Sequence, residues 1–201
     1  MNVNHQNPLF PIFVKVHKLR LLIVGAGEVG YEKLFFMLKS SPDARVTLVA
    51  PWINPDLVDL IKDKPNVTYI QRKYRASDLE NKDMAIAATN IPELNKQVFR
   101  DAKSRQVLIN VADTPDLCDF YLGSIVTKGD LKVAISTNGN SPTLAKRFRQ
   151  VLEEILPDSV PDLLKNMRQI RDRMKGDFST KVEKLNELTA SLLPSTENKA
   201  N

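Results

Sequence analysis

The chain has 201 residues, of which 42% are hydrophobic and 26% are charged, and its formal net charge is +5. This composition can bury a substantial core, so we expect a globular protein with one large domain and an appendage. The single cysteine excludes an internal disulfide bond, and the two histidines, His5 and His17, form no metal-ligand cluster by spacing. No apolar run reaches the roughly 18 residues of a membrane span, and residues 1–10 lack the pattern of a secretory signal, so we expect no membrane partner and a cytoplasmic location.

Apolar runs alternate with segments of helical period through the first half of the chain. The predicted strands are 19–24, 45–49, 67–71, 84–88 and 108–111, and the predicted helices between them are 28–39, 55–63 and 92–104. The strands are continuously apolar, which is typical of a parallel sheet with helices on both faces. This pattern predicts an α/β fold built on a parallel sheet. In the first helix, Tyr31, Leu34, Phe35 and Leu38 form the stripe expected to pack on that sheet.

A complete G-x-G-x-x-G motif, Gly25-Ala26-Gly27-Glu28-Val29-Gly30, lies between the first predicted strand and the first predicted helix. In this context Gly25 permits the tight turn, Gly27 lets the backbone approach a pyrophosphate, and Gly30 lets helix and strand pack closely. The motif therefore predicts a dinucleotide site.

The end of the second strand lacks the acidic residue that usually holds the adenosine ribose. It reads Val49-Ala50-Pro51-Trp52, and no arginine there would accept a 2′-phosphate, so these residues leave NAD and NADP open. The backbone amides around Pro51 and Trp52 are the candidate ribose contacts. Trp52 can equally be a packing residue.

Polar residues follow the fourth and fifth strands, where ligands of open α/β sheets bind. Thr89, Asn90 and Asn110 are therefore candidate contacts for the nicotinamide half of the cofactor. Asp113 follows the fifth strand, and a carboxylate there can act as a general base or hold a cationic substrate. The alternative is a structural turn aspartate ahead of Pro115.

After Val111 the α/β alternation ends. Residues 124–127 and 131–136 predict a hairpin, and Ser141-Pro142 predicts the start of a helix that runs to about Leu156. Further helices are predicted at 161–175, closed by Gly176, and at 179–193, closed by Pro194.

Basic residues gather in these helices. They are Lys146, Arg147, Arg149, Lys165, Arg168, Arg171, Arg173 and Lys175. Such a cluster favours an anionic partner, although a solvated helix face is an equally good interpretation. Aromatic residues are not interleaved with the charges, so nucleic acid is not the expected partner.

Together, these segments resemble the siroheme-synthase family, which includes the precorrin-2 dehydrogenases, over nearly the whole chain. The resemblance is carried by residues 8–13, by Gly25-Ala26-Gly27-Glu28-Val29-Gly30-Tyr31-Glu32-Lys33, and by residues 87–90, 110–113 and 133–142. It implies a Rossmann domain at 1–113, a small β-rich dimerisation segment at 114–145 and a helical domain at 146–201. It also implies a homodimer.

The same resemblance implies NAD as the cofactor and oxidation of precorrin-2 to sirohydrochlorin, in siroheme or cobalamin synthesis, as the reaction. Asp113 corresponds to the family's essential aspartate, and Ser136, Thr137 and Asn138 lie in its substrate-site segment. Precorrin-2 is a polycarboxylate tetrapyrrole, which would give Arg147 and Arg149 a role in substrate binding. No resident metal site is expected.

The sequence leaves two alternative functions open. The first is a bifunctional enzyme that also inserts Fe²⁺ into sirohydrochlorin, with Asp113 taking the protons of the macrocycle. The second is a non-enzymatic module that senses NAD(H) and changes how the basic helices bind another macromolecule.

Overall fold

The structure is a computed structural model, and it describes residues 7–175 and 177–190. The sheet part contains β1 Arg20–Val24, α1 Glu28–Ser40, β2 Arg45–Ala50, α2 Pro55–Ile61, β3 Val67–Gln71, β4 Met84–Ala87, α3 Pro92–Ser104 and β5 Leu108–Val111. The hairpin and the later helices are β6 Ser124–Lys128, β7 Leu131–Ile135, α4 Pro142–Ile155, α5 Val160–Arg173 and α6 Phe178–Thr189. The predicted α/β class is thus confirmed.

The five parallel strands have the order β3-β2-β1-β4-β5. In register, Val24 at the end of β1 pairs with Val49 of β2 on one side and with Ala87 of β4 on the other. The chain therefore leaves β1 in one direction along the sheet and later returns to add β4 on the opposite side. This reversal opens a crevice beyond the carboxyl ends of β1 and β4, which is where ligands bind in such sheets.

Both faces of the sheet are largely buried in β1, β2, β4 and β5, which explains their continuously apolar runs, whereas Thr68 and Gln71 of the edge strand β3 are exposed. In β1, Leu21 and Ile23 pack into a core with Leu34, Leu38 and Leu57 of α1 and α2. The alternate residues of β1, Leu22 and Val24, pack on the other face in a core that includes Val98 and Ala102 of α3. Side chains that alternate between two covered faces must all be apolar.

The first helix departs from its predicted stripe. Leu34 and Leu38 are buried and Tyr31 packs partly against the core, but Phe35 does not reach it. Phe35 instead stacks on Tyr31 at a centroid distance of 5.8 Å and contacts Phe36 edge to face at 5.4 Å. Phe35 is half-buried against these aromatic rings and is not packed in the core, so the prediction for Phe35 was wrong.

The predicted element boundaries are correct to within two or three residues. The second helix ends at Ile61 and the fifth at Arg173, each two residues before the predicted end. The sixth helix is described to Thr189. Its predicted end at 193, the closing Pro194, and the predicted terminator Gly176 lie outside the described residues.

The chain divides into two compact units. The sheet unit comprises the residues up to Ser124 together with Ser136–Ala145, and the helical unit comprises Ile125–Ile135 and the residues from Lys146 onward. Residues 114–145 are thus divided between the two units, and their role as a dimerisation segment stays a prediction. Over the described part of the chain, no helix is both long enough and apolar enough to cross a membrane.

Candidate active site

The turn between β1 and α1 depends on its glycines. Gly25 has a φ of +108°, and a Cβ on it would overlap the carbonyl oxygen of Ala88, the residue that follows β4. A Cβ on Gly30 would overlap the carbonyl oxygen of Gly25. Each of these glycines therefore permits a backbone approach that a side chain would block.

Gly27 has a different environment, because a Cβ placed on it would meet no atom within 4 Å. It precedes α1, and no described side chain caps the first turn of that helix. The open space above Gly27 and the uncapped N–H groups of Glu28, Val29 and Gly30 form an anion cradle, to which the positive end of the helix dipole contributes. These residues fit the pyrophosphate of a dinucleotide.

Asn54 fastens the glycine turn to the loop after β2, and the sequence did not reveal it. Its backbone N–H donates to the carbonyl of Ala26 at 2.8 Å, and its Nδ2 donates to Oε1 of Glu28 at 2.6 Å. Its Oδ1 accepts from the N–H of Asp56 at 2.9 Å, so it also caps α2. Asn54 is only 3% exposed, and these three hydrogen bonds fix the starts of α1 and α2 against each other.

The two candidate ribose contacts, Pro51 and Trp52, both lie exposed in this loop, and Trp52 is 60% exposed. The loop is supported from β3, since the hydroxyl of Tyr69 donates to the carbonyl of Ala50 at 3.0 Å. An exposed Trp52 is not a packing residue of this unit. Its contact with the cofactor stays a prediction.

Beyond β4, Thr89 is engaged with Asn95 of α3. The Thr89 hydroxyl donates to Oδ1 of Asn95 at 2.7 Å, and Nδ2 of Asn95 donates back to the Thr89 carbonyl at 2.9 Å. Asn95 is buried and Asn90 is exposed. The structure thus gives Thr89 a role in shaping the crevice wall, while Asn90 is accessible to a ligand.

Beyond β5, buried polar groups hold the loop that carries Asp113. Nδ2 of Asn110 donates to the carbonyl of Phe120 at 2.8 Å, and Sγ of Cys118 accepts from the N–H of Val111 at 3.3 Å. Asp119 accepts from the N–H of Ile109 at 3.1 Å. Burial raises the pKa of the Cys118 thiol, which disfavours the thiolate form, and its hydrogen bonds to Val111 give it a structural role. None of these loop contacts except Asn110 belonged to the predicted site.

Asp113 itself differs from its neighbours. Its φ is +56°, a left-handed conformation that aspartate and asparagine adopt more readily than most residues. Its side chain is exposed and makes no hydrogen bond or ion pair with any described residue. A carboxylate that the fold holds in an unusual backbone conformation but leaves unpaired is available to a ligand.

The segment Ser136–Ser141 belongs to the same unit as Asp113. Asn138 and Gly139 have φ values of +53° and +76°, and a Cβ on Gly139 would lie 3.9 Å from Cγ of Pro115. The Thr137 hydroxyl accepts from the N–H of Ser141 at 3.1 Å. The turn therefore approaches Pro115 in the loop that begins at Asp113. The place of Ser136, Thr137 and Asn138 in the substrate site stays a prediction.

The basic residues of α4 belong to the helical unit. Arg149 pairs with Glu153 one turn later at 2.7 Å, and Arg147 donates to Gln150 at 3.1 Å. Their contribution to substrate binding stays a prediction. The described residues contain no group of three or more His, Cys, Asp or Glu side chains that could hold a metal ion.

Two family models match the chain. Residues 12–124 match a family described as putative NAD(P)-binding, and residues 128–155 match the central domain of sirohaem biosynthesis proteins. The first match contains the glycine turn, the loop after β2 and Asp113, which are the parts of the crevice described above.

Curated relatives named siroheme synthase cover most of the chain. One from Pseudoalteromonas atlantica is 38% identical over 171 residues, which is 85% of this chain and 36% of the relative. One from Nitrosomonas europaea is 33% identical over 168 residues, 84% of this chain and 35% of the relative. The chain thus spans about a third of the length of these relatives.

A solved structure is similar over almost its entire length. This protein, called SirC, precorrin-2 dehydrogenase, is 25% identical, and its TM-score is 0.71. The likeness covers 90% of this chain and 89% of that one. The sheet unit and the helical unit are therefore both part of the shared structure.

Proposed function

The chain belongs to the siroheme-synthase family and carries its NAD(P)-binding domain, and from this premise we propose that it is an NAD-dependent precorrin-2 dehydrogenase. The observation that carries the proposal is the pairing of an intact dinucleotide cradle with an unpaired carboxylate, Asp113, beyond β5 of the same sheet. The solved relative with a matching extent carries that enzyme's name.

The reaction converts precorrin-2 to sirohydrochlorin by removing a hydride and a proton. NAD supplies the hydride acceptor when it is bound at the glycine turn. Asp113 accepts the proton, since it is exposed and no described residue competes for its oxygens. The loop is held by hydrogen bonds of Asn110, Cys118 and Asp119. The Asp113 carboxylate therefore keeps its position when it takes up the proton.

The turn at residues 136–141 is the proposed second wall of the substrate site. Its backbone is constrained by the positive φ values of Asn138 and Gly139 and by the Thr137–Ser141 hydrogen bond. Three donors here can reach a peripheral carboxylate of the tetrapyrrole: the Ser136 hydroxyl, the Thr137 backbone N–H and the side-chain amide of Asn138. This assignment rests on the approach of Gly139 to Pro115, two residues after Asp113.

We also propose that the protein acts as a homodimer. Along α4, a stripe of apolar side chains stays exposed: Leu144, Phe148, Val151 and Ile155. Among the described residues of the helical unit, only Val126 and Val160 are buried apolar side chains. A unit with so small a core of its own gains stability when a second copy covers its apolar face.

The test of the function is anaerobic incubation of the purified protein with precorrin-2 and NAD. We expect stoichiometric NADH and the absorption spectrum of sirohydrochlorin. A parallel reaction with NAD and no tetrapyrrole controls for other electron donors. NAD binding without any tetrapyrrole oxidation would contradict the proposal and would favour the nucleotide-sensing alternative.

A further inference from the structure

The crevice needs a group that recognises the adenosine ribose, and the usual one is missing. The strand β2 ends in Ala50 and is followed by Pro51 and Trp52, none of which carries a charge. The nearby Arg72, just after β3, is engaged by the carboxylate of Asp78 through two guanidinium hydrogen bonds. Neither the acid typical of NAD sites nor a free arginine typical of NADP sites therefore lies at this position.

Glu28 brings a carboxylate to the same loop from the glycine turn. It is the first residue of α1, and its Oε1 accepts from Nδ2 of Asn54 in the loop after β2. Asn54 is buried and its other polar groups are bonded to Ala26 and Asp56, so it cannot turn away. The hydrogen bond therefore fixes the Glu28 carboxylate between the pyrophosphate cradle and the ribose side of the loop.

The second carboxylate oxygen, Oε2, has no hydrogen-bond partner among the described residues, and Glu28 is exposed. A carboxylate oxygen accepts hydrogen bonds from hydroxyl groups and repels phosphate groups. The free oxygen is thus suited to a ribose hydroxyl and unsuited to a 2′-phosphate.

We propose that Glu28, held by Asn54, is the residue that selects NAD over NADP in this chain, in place of the acid missing from the end of β2. The inference rests on the dinucleotide binding of the proposed function, but not on its tetrapyrrole substrate. One rival residue is nearby, because Asp56 in the first turn of α2 carries another exposed carboxylate.

The test compares Glu28→Gln with the matched variant Asp56→Asn. Both remove one negative charge from the first turn of a helix beside this loop. The amide oxygen introduced by Glu28→Gln can still accept from Asn54, so the glycine turn should keep its geometry, which thermal unfolding will check. Dissociation constants for NAD⁺ and NADP⁺ are measured by calorimetry without a tetrapyrrole. Quenching of Trp52, the single tryptophan, reports whether the dinucleotide lies at the loop after β2.

We expect the wild type to bind NAD⁺ at least about tenfold more tightly than NADP⁺, and Glu28→Gln to reduce this ratio about tenfold. Asp56→Asn should leave the ratio within about twofold of the wild type. An unchanged ratio in Glu28→Gln would overturn the proposal, and so would an equal or larger change in Asp56→Asn. Selective NAD⁺ binding by a protein that does not oxidise precorrin-2 would contradict the proposed reaction and leave this inference standing.

Discussion

The sheet unit and the helical unit differ in how far they bury their apolar side chains. The sheet unit buries both faces of its inner strands, so that even Leu22 and Ile23, adjacent in β1, lie in separate cores. The helical unit leaves Phe148, Val151 and Ile155 exposed along α4. The first unit has two buried cores within one chain, and the exposed α4 face of the second is proposed to be covered by another copy.

Within the sheet unit, residues that stabilise the fold also differ from residues that are available to a ligand. In the sheet unit, Asn54, Asn95 and Asn110 are buried and hydrogen-bonded within the chain. Asp113 is exposed and unpaired among the described residues. Stability and activity should therefore respond to different substitutions in this unit, and the following experiments test that separation.

The largest effect is expected from Gly30→Ala. The new Cβ would overlap the Gly25 carbonyl oxygen, and a backbone atom between β1 and α1 cannot move aside without disturbing the sheet. We expect a loss of about 3 kcal/mol or more in the free energy of unfolding, measured by chemical denaturation.

The matched control is Gly27→Ala in the same turn. Its Cβ would meet no atom within 4 Å, so the unfolding free energy should change by less than about 1 kcal/mol. Because the methyl group would occupy the cradle, NAD binding should weaken markedly. Equal destabilisation by the two variants would contradict the distinction between a packing glycine and a binding glycine.

The second largest effect is expected from Asp113→Asn. Asparagine tolerates the left-handed backbone at this position and removes the proton acceptor. Turnover of precorrin-2 should fall by about 10²–10⁴-fold, with NAD affinity and unfolding free energy close to those of the wild type. The control is Asp116→Asn, which neutralises another exposed acid of the same loop. Wild-type turnover in Asp113→Asn would remove this carboxylate from the mechanism.

Much of the sheet unit could be predicted from the sequence, because burial on two faces forces continuous apolar strands between amphipathic helices. The glycine turn was recognisable for a related reason, since its residues are adjacent in the chain. The prediction was wrong for Phe35, whose spacing fits the buried stripe of α1. Its ring contacts Tyr31 and Phe36 instead, which periodicity does not reveal.

The supporting residues of the site were harder to predict. Asn54 and Glu28 are 26 positions apart, and neither belongs to a motif that names the other. Cys118 lies within the loop that it holds, yet its sequence context suggests only a small apolar residue. Such contacts depend on how the loops fold back on the sheet, and a pattern of residue types carries little information about that.

The third prediction concerns the exposed face of α4. Phe148→Asp would place a charge in the proposed subunit contact and should raise the dimer dissociation constant by about 30-fold or more, measured by analytical ultracentrifugation. Phe36→Asp is a close control, since Phe36 of the sheet unit is 52% exposed and Phe148 is 51% exposed. If both variants changed the association state, or if neither did, the proposal that the α4 face forms the subunit contact would be contradicted.

The smallest effect is expected at the amino end of the sheet, far along the strands from the crevice. Asp83, before β4, accepts from the backbone N–H of Arg20 at 2.7 Å and from its guanidinium at 3.3 Å. These bonds from Arg20 lower the pKa of Asp83. Because the pair is exposed and screened, Asp83→Asn should cost less than about 1 kcal/mol of unfolding free energy at neutral pH.

The pH dependence of this loss of unfolding free energy tests whether it comes from the ionised carboxylate of Asp83. A carboxylate whose pKa is lowered in the folded state contributes stability above its unfolded pKa of about 3.9, and loses it as the pH falls through the folded value. Denaturation curves of the wild type and Asp83→Asn should therefore converge below about pH 4, while NAD affinity at neutral pH stays equal. A difference that persists in acid would show that Asp83 acts through packing, and a change in NAD affinity would show that the two ends of the sheet are coupled.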